Sequence, residues 1–62
     1  MSEFEKAVKK ALIDHEMTMQ DLADVLGITV SYVSDLIKGK RSNTLQIAKI
    51  CSFLGVTYEG DS

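Results

Sequence analysis

The chain of 62 residues has no proline, one cysteine, and two tyrosines and two phenylalanines as its only aromatic residues. A single cysteine closes no internal disulfide, and with one histidine it assembles no metal site. Cys51 stands in an apolar run with Ile50, Phe53 and Leu54. It is read as an inert packed thiol, because a free cysteine packs as a small hydrophobe. No apolar run approaches the ~18 residues of a membrane span, and no signal-peptide pattern is visible. A reducing cytoplasm is the expected setting, with no membrane partner. Low-complexity runs, internal repeats and linkers are also missing. No phosphate loop, metal-ligand spacing or nucleophile–base pair occurs. A catalytic site needs polar groups converging in a concave pocket, and a chain this short is too small to enclose one. An enzyme is therefore not expected, nor is a cofactor.

What is present is one domain's worth of chain, residues 1–62, with a small core. Each buried Leu, Ile, Val or Phe should contribute about 1.5–3 kcal/mol, so the stability margin is thin. The formal net charge is −2, which counts against a polyanionic partner. Its distribution works the other way. Residues 29–49 hold Lys38, Lys40, Arg41 and Lys49 against Asp35 alone. The remainder holds Lys6, Lys9 and Lys10 against eight acids. A local positive patch matters more for phosphate contact than the total.

Alternating polar and apolar residues are absent, which argues against strands. The pattern predicts four helices, at about 3–15, 19–26, 30–38 and 44–54, and a tail over 56–62. Ser2 and Glu5 have the spacing of a capping box, and Phe4, Val8, Ala11 and Leu12 share one face. His15 is placed in that helix's last turn, where a cation suits the helix dipole. Thr18 is expected to cap the second helix, with Asp21 in its first turn. Leu22, Ala23 and Leu26 form its inner side, and Gly27 ends it in a left-handed conformation. Thr29 is expected to cap the third helix, Gly39 to end it, and Val33, Leu36 and Ile37 to face inward. Ile28 plugs the turn. The fourth helix starts near Asn43 or Thr44 and ends at Gly55. Leu45, Ile47, Ala48, Ile50, Cys51 and Leu54 form an apolar stripe expected to be buried on two sides. In the tail, Val56 and Tyr58 are the expected anchors, and the last residues should fray.

The most specific stretch is TMQDLADVLGITVSYVSDLIKG, residues 18–39. It holds two short amphipathic segments joined at Gly27, with Ala23 small where a second helix must cross closely. Extended to MTMQDLADVLGITVSYVSDLIKGKRS and LQIAKICSFLGV, over residues 17–56, the chain resembles the Cro/CI-type helix-turn-helix proteins, also called the xenobiotic-response-element family. The resemblance implies an all-α fold, a compact bundle of four to five helices of the lambda-repressor-like DNA-binding type. It implies a DNA-binding transcriptional regulator, a Cro/CI-like repressor of phage or bacterial kind, that binds double-stranded DNA as a homodimer. The helix over 30–38 is then the one that enters the major groove. By position in the motif, Val30, Ser31 and Asp35 occupy base-reading places, with Thr29 beside them. Tyr32 falls near the groove edge. Lys38, Lys40, Arg41 and Ser42 stand where family members touch phosphates.

Three departures from the family pattern stand out. Met19 occupies a place where many members have a phosphate-gripping Gln, and Gln20 comes one residue later. The loop after Gly39 looks about one residue shorter than in many relatives and lacks their proline. The end, TYEGDS, is too short for the family's fifth helix, so Phe53, Val56 and Tyr58 become the candidate dimer contacts.

The exposed residues set the expected chemistry. Ser31 and Ser34 can donate or accept at base edges, Val30 suits a thymine methyl, and Asp35 can accept from a cytosine amino group. Tyr32 can reach a phosphate. The third helix carries no outward Arg or Asn, so no bidentate base contact is expected from it, and Lys40 and Arg41 should carry much of the affinity. The alternative reading is a protein-interaction module on the same fold, an antirepressor or adaptor that binds another regulator protein and no longer binds DNA. The acidic total, Asp35 and Met19 motivate it.

Overall fold

Each helix begins where a side-chain oxygen can take an amide N–H that the helix leaves unpaired. The computed structural model describes residues 2–58, and within them are four helices: α1 (Glu3–Asp14), α2 (Met19–Leu26), α3 (Val30–Lys38) and α4 (Thr44–Leu54). Ser2, Thr18, Thr29 and Asn43 are the caps, accepting from the amides of Glu5, Asp21, Tyr32 and Gln46 at 3.0 to 3.1 Å. At α2 the cap is reciprocal, because Asp21 Oδ2 accepts from the Thr18 amide at 3.0 Å. Thr18→Ala removes the hydroxyl half of that box and should cost roughly 1 kcal/mol, read as a lower urea midpoint at unchanged slope.

The capping box expected at Ser2 is only half formed. The Glu5 carboxylate pairs instead with Lys9 at 3.2 Å, one turn along α1. Glu5 itself is buried. The Ser2 hydroxyl serves twice, accepting from Glu5 and donating to the Ile37 carbonyl at 3.3 Å. It thereby ties the start of α1 to the last turn of α3, where carbonyls lack helical partners.

All four helices stop the same way. The amide five residues beyond a last-turn carbonyl closes back on it, in the pairs Met17–Leu12, Ile28–Ala23, Lys40–Asp35 and Val56–Cys51. This Schellman closure needs one left-handed residue just past the helix. Gly27 and Gly39 supply it at φ of 73 and 83°, and Gly55 does so after α4. After α1 the residue is Glu16, at φ 56°, so that helix ends without a glycine. It also ends at Asp14, which leaves His15 as its exposed C-cap rather than in its last turn.

Three of these closures lead the chain back to the core, because Met17, Ile28 and Val56 are half-buried against it. The closure of α3 leads to Lys40, which is exposed. The chain therefore leaves the core at the end of α3 and carries a basic loop into solvent.

The core joins all four helices. Phe4, Val8, Ala11 and Leu12 of α1 meet Leu22 and Ala23 of α2, Val33, Leu36 and Ile37 of α3, and Ile50 and Leu54 of α4. Ala23 has no exposed surface, as a close crossing of α2 and α3 requires. The wide burial expected of α4 does not occur. Ile50 and Leu54 are buried and Ile47 and Cys51 half-buried, but Ala48 is exposed and Leu45 is 64% exposed. Only one side of α4 has neighbours among the described residues, since α1 and α2 both pack on that side. In the tail, Tyr58 meets Phe4 edge-on, ring centroids 4.8 Å apart. The residues expected to fray, 59–62, lie outside the described ones. Among the described residues, no helix is long and apolar enough to cross a membrane.

Candidate nucleic-acid interface

A nine-residue helix with three inward side chains has its remaining positions to offer outward. On α3 the inward residues Val33, Leu36 and Ile37 are at most 2% exposed. Ser31 and Lys38 are exposed, and Ser34 and Asp35 half-buried. These four follow the spacings of three and four that place side chains on one helix face. Val30 is half-buried and packs on the core, so only part of its side chain is available outward. Thr29 is exposed, but its hydroxyl oxygen is occupied by the Tyr32 amide at 3.1 Å.

The loop after α3 folds back onto the helix. The Asp35 carbonyl accepts from the amides of Lys40 and Arg41 at 2.8 and 3.3 Å. This brings the Arg41 guanidinium over the Tyr32 ring, 5.0 Å from its centroid. Arg41 Nε also lies 3.4 Å from Asp35 Oδ2. Asp35 and Tyr32 are three residues apart and share a face, so one arginine reaches both. The Tyr32 hydroxyl accepts from Asn43 Nδ2 at 2.8 Å. Asn43 thus caps α4 with its oxygen and holds α3 with its nitrogen.

This network changes the expected chemistry in two ways. Asp35, expected to meet a cytosine amino group, has its carboxylate against a guanidinium, which offsets its repulsion of phosphates. Arg41, expected only as a loop cation, lies across the outer face of α3, where the helix's own sequence offers no arginine. Tyr32 keeps its hydroxyl hydrogen free to donate, since Asn43 uses only a lone pair. Asn43 was not singled out as part of this surface. An Asn at an N-cap is ordinary, and nothing local announces that its amide nitrogen will find a tyrosine eleven residues back.

The remaining expected contacts divide. Lys38, Lys40 and Ser42 are exposed, and neither lysine has an ion-pair partner among the described residues. Gln20, expected to substitute for a phosphate-gripping Gln, donates from Nε2 to Asp24 Oδ1 at 2.9 Å along α2. One of its two amide N–H donors thus points at an acid of its own helix. Met19 turns inward and packs on the core. Phe53 is 44% exposed on α4, Val56 is half-buried, and Tyr58 is 45% exposed while resting on Phe4.

The family model for helix-turn-helix domains matches residues 8–60. Neither a curated protein nor a solved structure matches the chain.

Proposed function

The chain belongs to the Cro/CI-type helix-turn-helix family of DNA-binding regulators, and from that premise we propose that it is a sequence-specific repressor whose α3 lies in the major groove. One observation carries the reading: α3 buries one side completely and leaves Ser31 and Lys38 uncovered on the other, beside an exposed basic loop. Ser31 and Ser34 contact base edges, with Thr29 and the outer part of Val30 at the leading end of the helix. Lys38, Lys40, Ser42 and the Tyr32 hydroxyl hold the backbone, and they set the position of the helix in the groove. Gln20 contributes less, because its amide is already bound to Asp24.

The protein works as a homodimer in the cytoplasm, its two recognition helices about 34 Å apart on half-sites one turn apart. Phe53, with Leu45 on the same bare side of α4, is the candidate dimer contact, and Val56 and Tyr58 flank it. Repression follows from occupancy, since a bound dimer blocks the DNA it covers.

The test is selection of bound duplexes from a random pool, followed by titration of a selected site at two salt concentrations. A two-fold symmetric site is expected. Log affinity should fall with log salt at about −0.9 per neutralised phosphate. No enriched site, or a salt-independent affinity, rejects the reading. The second reading, an adaptor that binds another regulator protein, is favoured by the acids Asp21 and Asp24 beside Gln20 on α2. Capture of a defined repressor without DNA, together with failure of the DNA selection, would replace the first reading with it.

A further inference from the structure

We propose that Asp35 acts on DNA through Arg41: it is a positioning residue that holds the guanidinium with its far edge outward, and Arg41 is the group that grips the DNA. The proposal rests on the DNA-binding reading above. The loop around Arg41 is attached to α3 at four points. The amides of Lys40 and Arg41 bond the Asp35 carbonyl, the Arg41 Nε faces the Asp35 carboxylate, and its guanidinium carbon lies 5.0 Å from the Tyr32 ring centroid. A guanidinium carries five N–H donors in a rigid fork. Asp35 engages the Nε side, and the Nη1 and Nη2 edge has no hydrogen-bond partner among the described residues. That edge matches a pair of closely spaced acceptors. On DNA these are O6 and N7 of a guanine, or two oxygens of a phosphate.

Stability does not explain the pair. The two side chains are 60% and 37% exposed, and exposed ion pairs add little to folding. Their value lies in order. An arginine free in solution must be immobilised when it binds, and a rotamer-rich side chain fixed beforehand saves roughly two- to tenfold in affinity. Asn43 supports the platform from the other side by fixing the Tyr32 hydroxyl.

The idea makes a prediction of unusual sign. An acid beside DNA repels phosphates, so its removal alone should tighten binding. If Asp35 works through Arg41, Asp35→Ala should weaken binding, by roughly two- to tenfold. Arg41→Ala should lose about 5- to 150-fold, the range for one bidentate contact. In the Arg41→Ala background, Asp35→Ala should cause no further loss, because the residue it positions is gone. Asp35→Asn keeps the shape of the side chain but removes the charge that faces Nε at 3.4 Å, so it should share most of the loss.

The measurement is affinity for a selected duplex for the four proteins of the cycle, with sequence preference and salt slope recorded for each. Thermal melts should agree closely, since the pair is exposed. If Arg41→Ala lowers the slope by about 0.9 and leaves sequence preference alone, the acceptor pair is a phosphate. If it relaxes preference at one base pair with the slope kept, the pair is a guanine edge. Either result supports the proposal. Tighter binding by Asp35→Ala, or equal losses from it in both backgrounds, overturns it while the DNA-binding reading stands. A wild-type protein that binds no selected duplex overturns both.

Discussion

Leu36→Ala strongly destabilises the protein. Leu36 lies on the underside of α3, is 1% exposed, and sits in the cluster that joins all four helices. Truncating a fully buried leucine costs about 2–5 kcal/mol, from lost transfer energy and the cavity left behind. A folded chain of this size has only about 3–9 kcal/mol to lose, at roughly 0.05–0.15 kcal/mol per residue. The substitution therefore removes from about a fifth to all of the stability. The helix signal in circular dichroism should fall sharply at 37 °C, and the urea midpoint should move toward zero. A midpoint within a few tenths molar of the parent would show that Leu36 does not hold this core. DNA affinity should fall with the fold, because α3 keeps its orientation only through the packing beneath it.

Lys38→Ala with Lys40→Ala should have a large effect on DNA binding and leave the fold intact. Both lysines are exposed, so the melt should be unchanged. If each neutralises one phosphate, the salt slope falls by about 1.8, which is roughly a 30-fold loss of affinity at 0.15 M salt. The loss should be the same for every sequence, because phosphates carry no base identity. An unchanged slope would remove both residues from the backbone contacts. A changed sequence preference would make at least one of them a base reader. The two experiments separate the sides of one helix: the inner side answers in stability, the outer side in affinity.

Much of this arrangement is legible along the chain. Ser2, Thr18, Thr29 and Asn43 mark helix starts, because a short polar side chain can bond only amides a few residues away. Gly27, Gly39 and Gly55 mark stops, since left-handed backbone suits glycine. The inward residues of α1, α2 and α3 follow from helical spacing. Glu16 shows where this reading ends, for the same closure forms at a residue with no glycine to announce it. At Glu5, the expected cap partner is only three residues away, yet its carboxylate goes to Lys9 and its side chain is buried. The stripe on α4 misleads in the other direction. Leu45 and Ala48 read as core, but burial needs a facing element, and α1 and α2 cover only one side of that helix.

The candidate site divides along the same line. Placing Ser31, Ser34, Asp35 and Lys38 on one face of α3 requires only 3.6 residues per turn, so those positions follow from sequence. Joining Arg41 to Asp35 and Tyr32, and Asn43 to Tyr32, requires the loop's path across the helix. That path depends on where α4 docks and on how α3 closes. Sequence alone therefore determined the helices, most of their ends and the family, because caps, glycine stops and amphipathic spacing act within one or two turns. Tertiary structure alone decided which side of α4 stays bare and that an arginine lies across the recognition face. Those outcomes depend on contacts between segments that come together only when the chain folds.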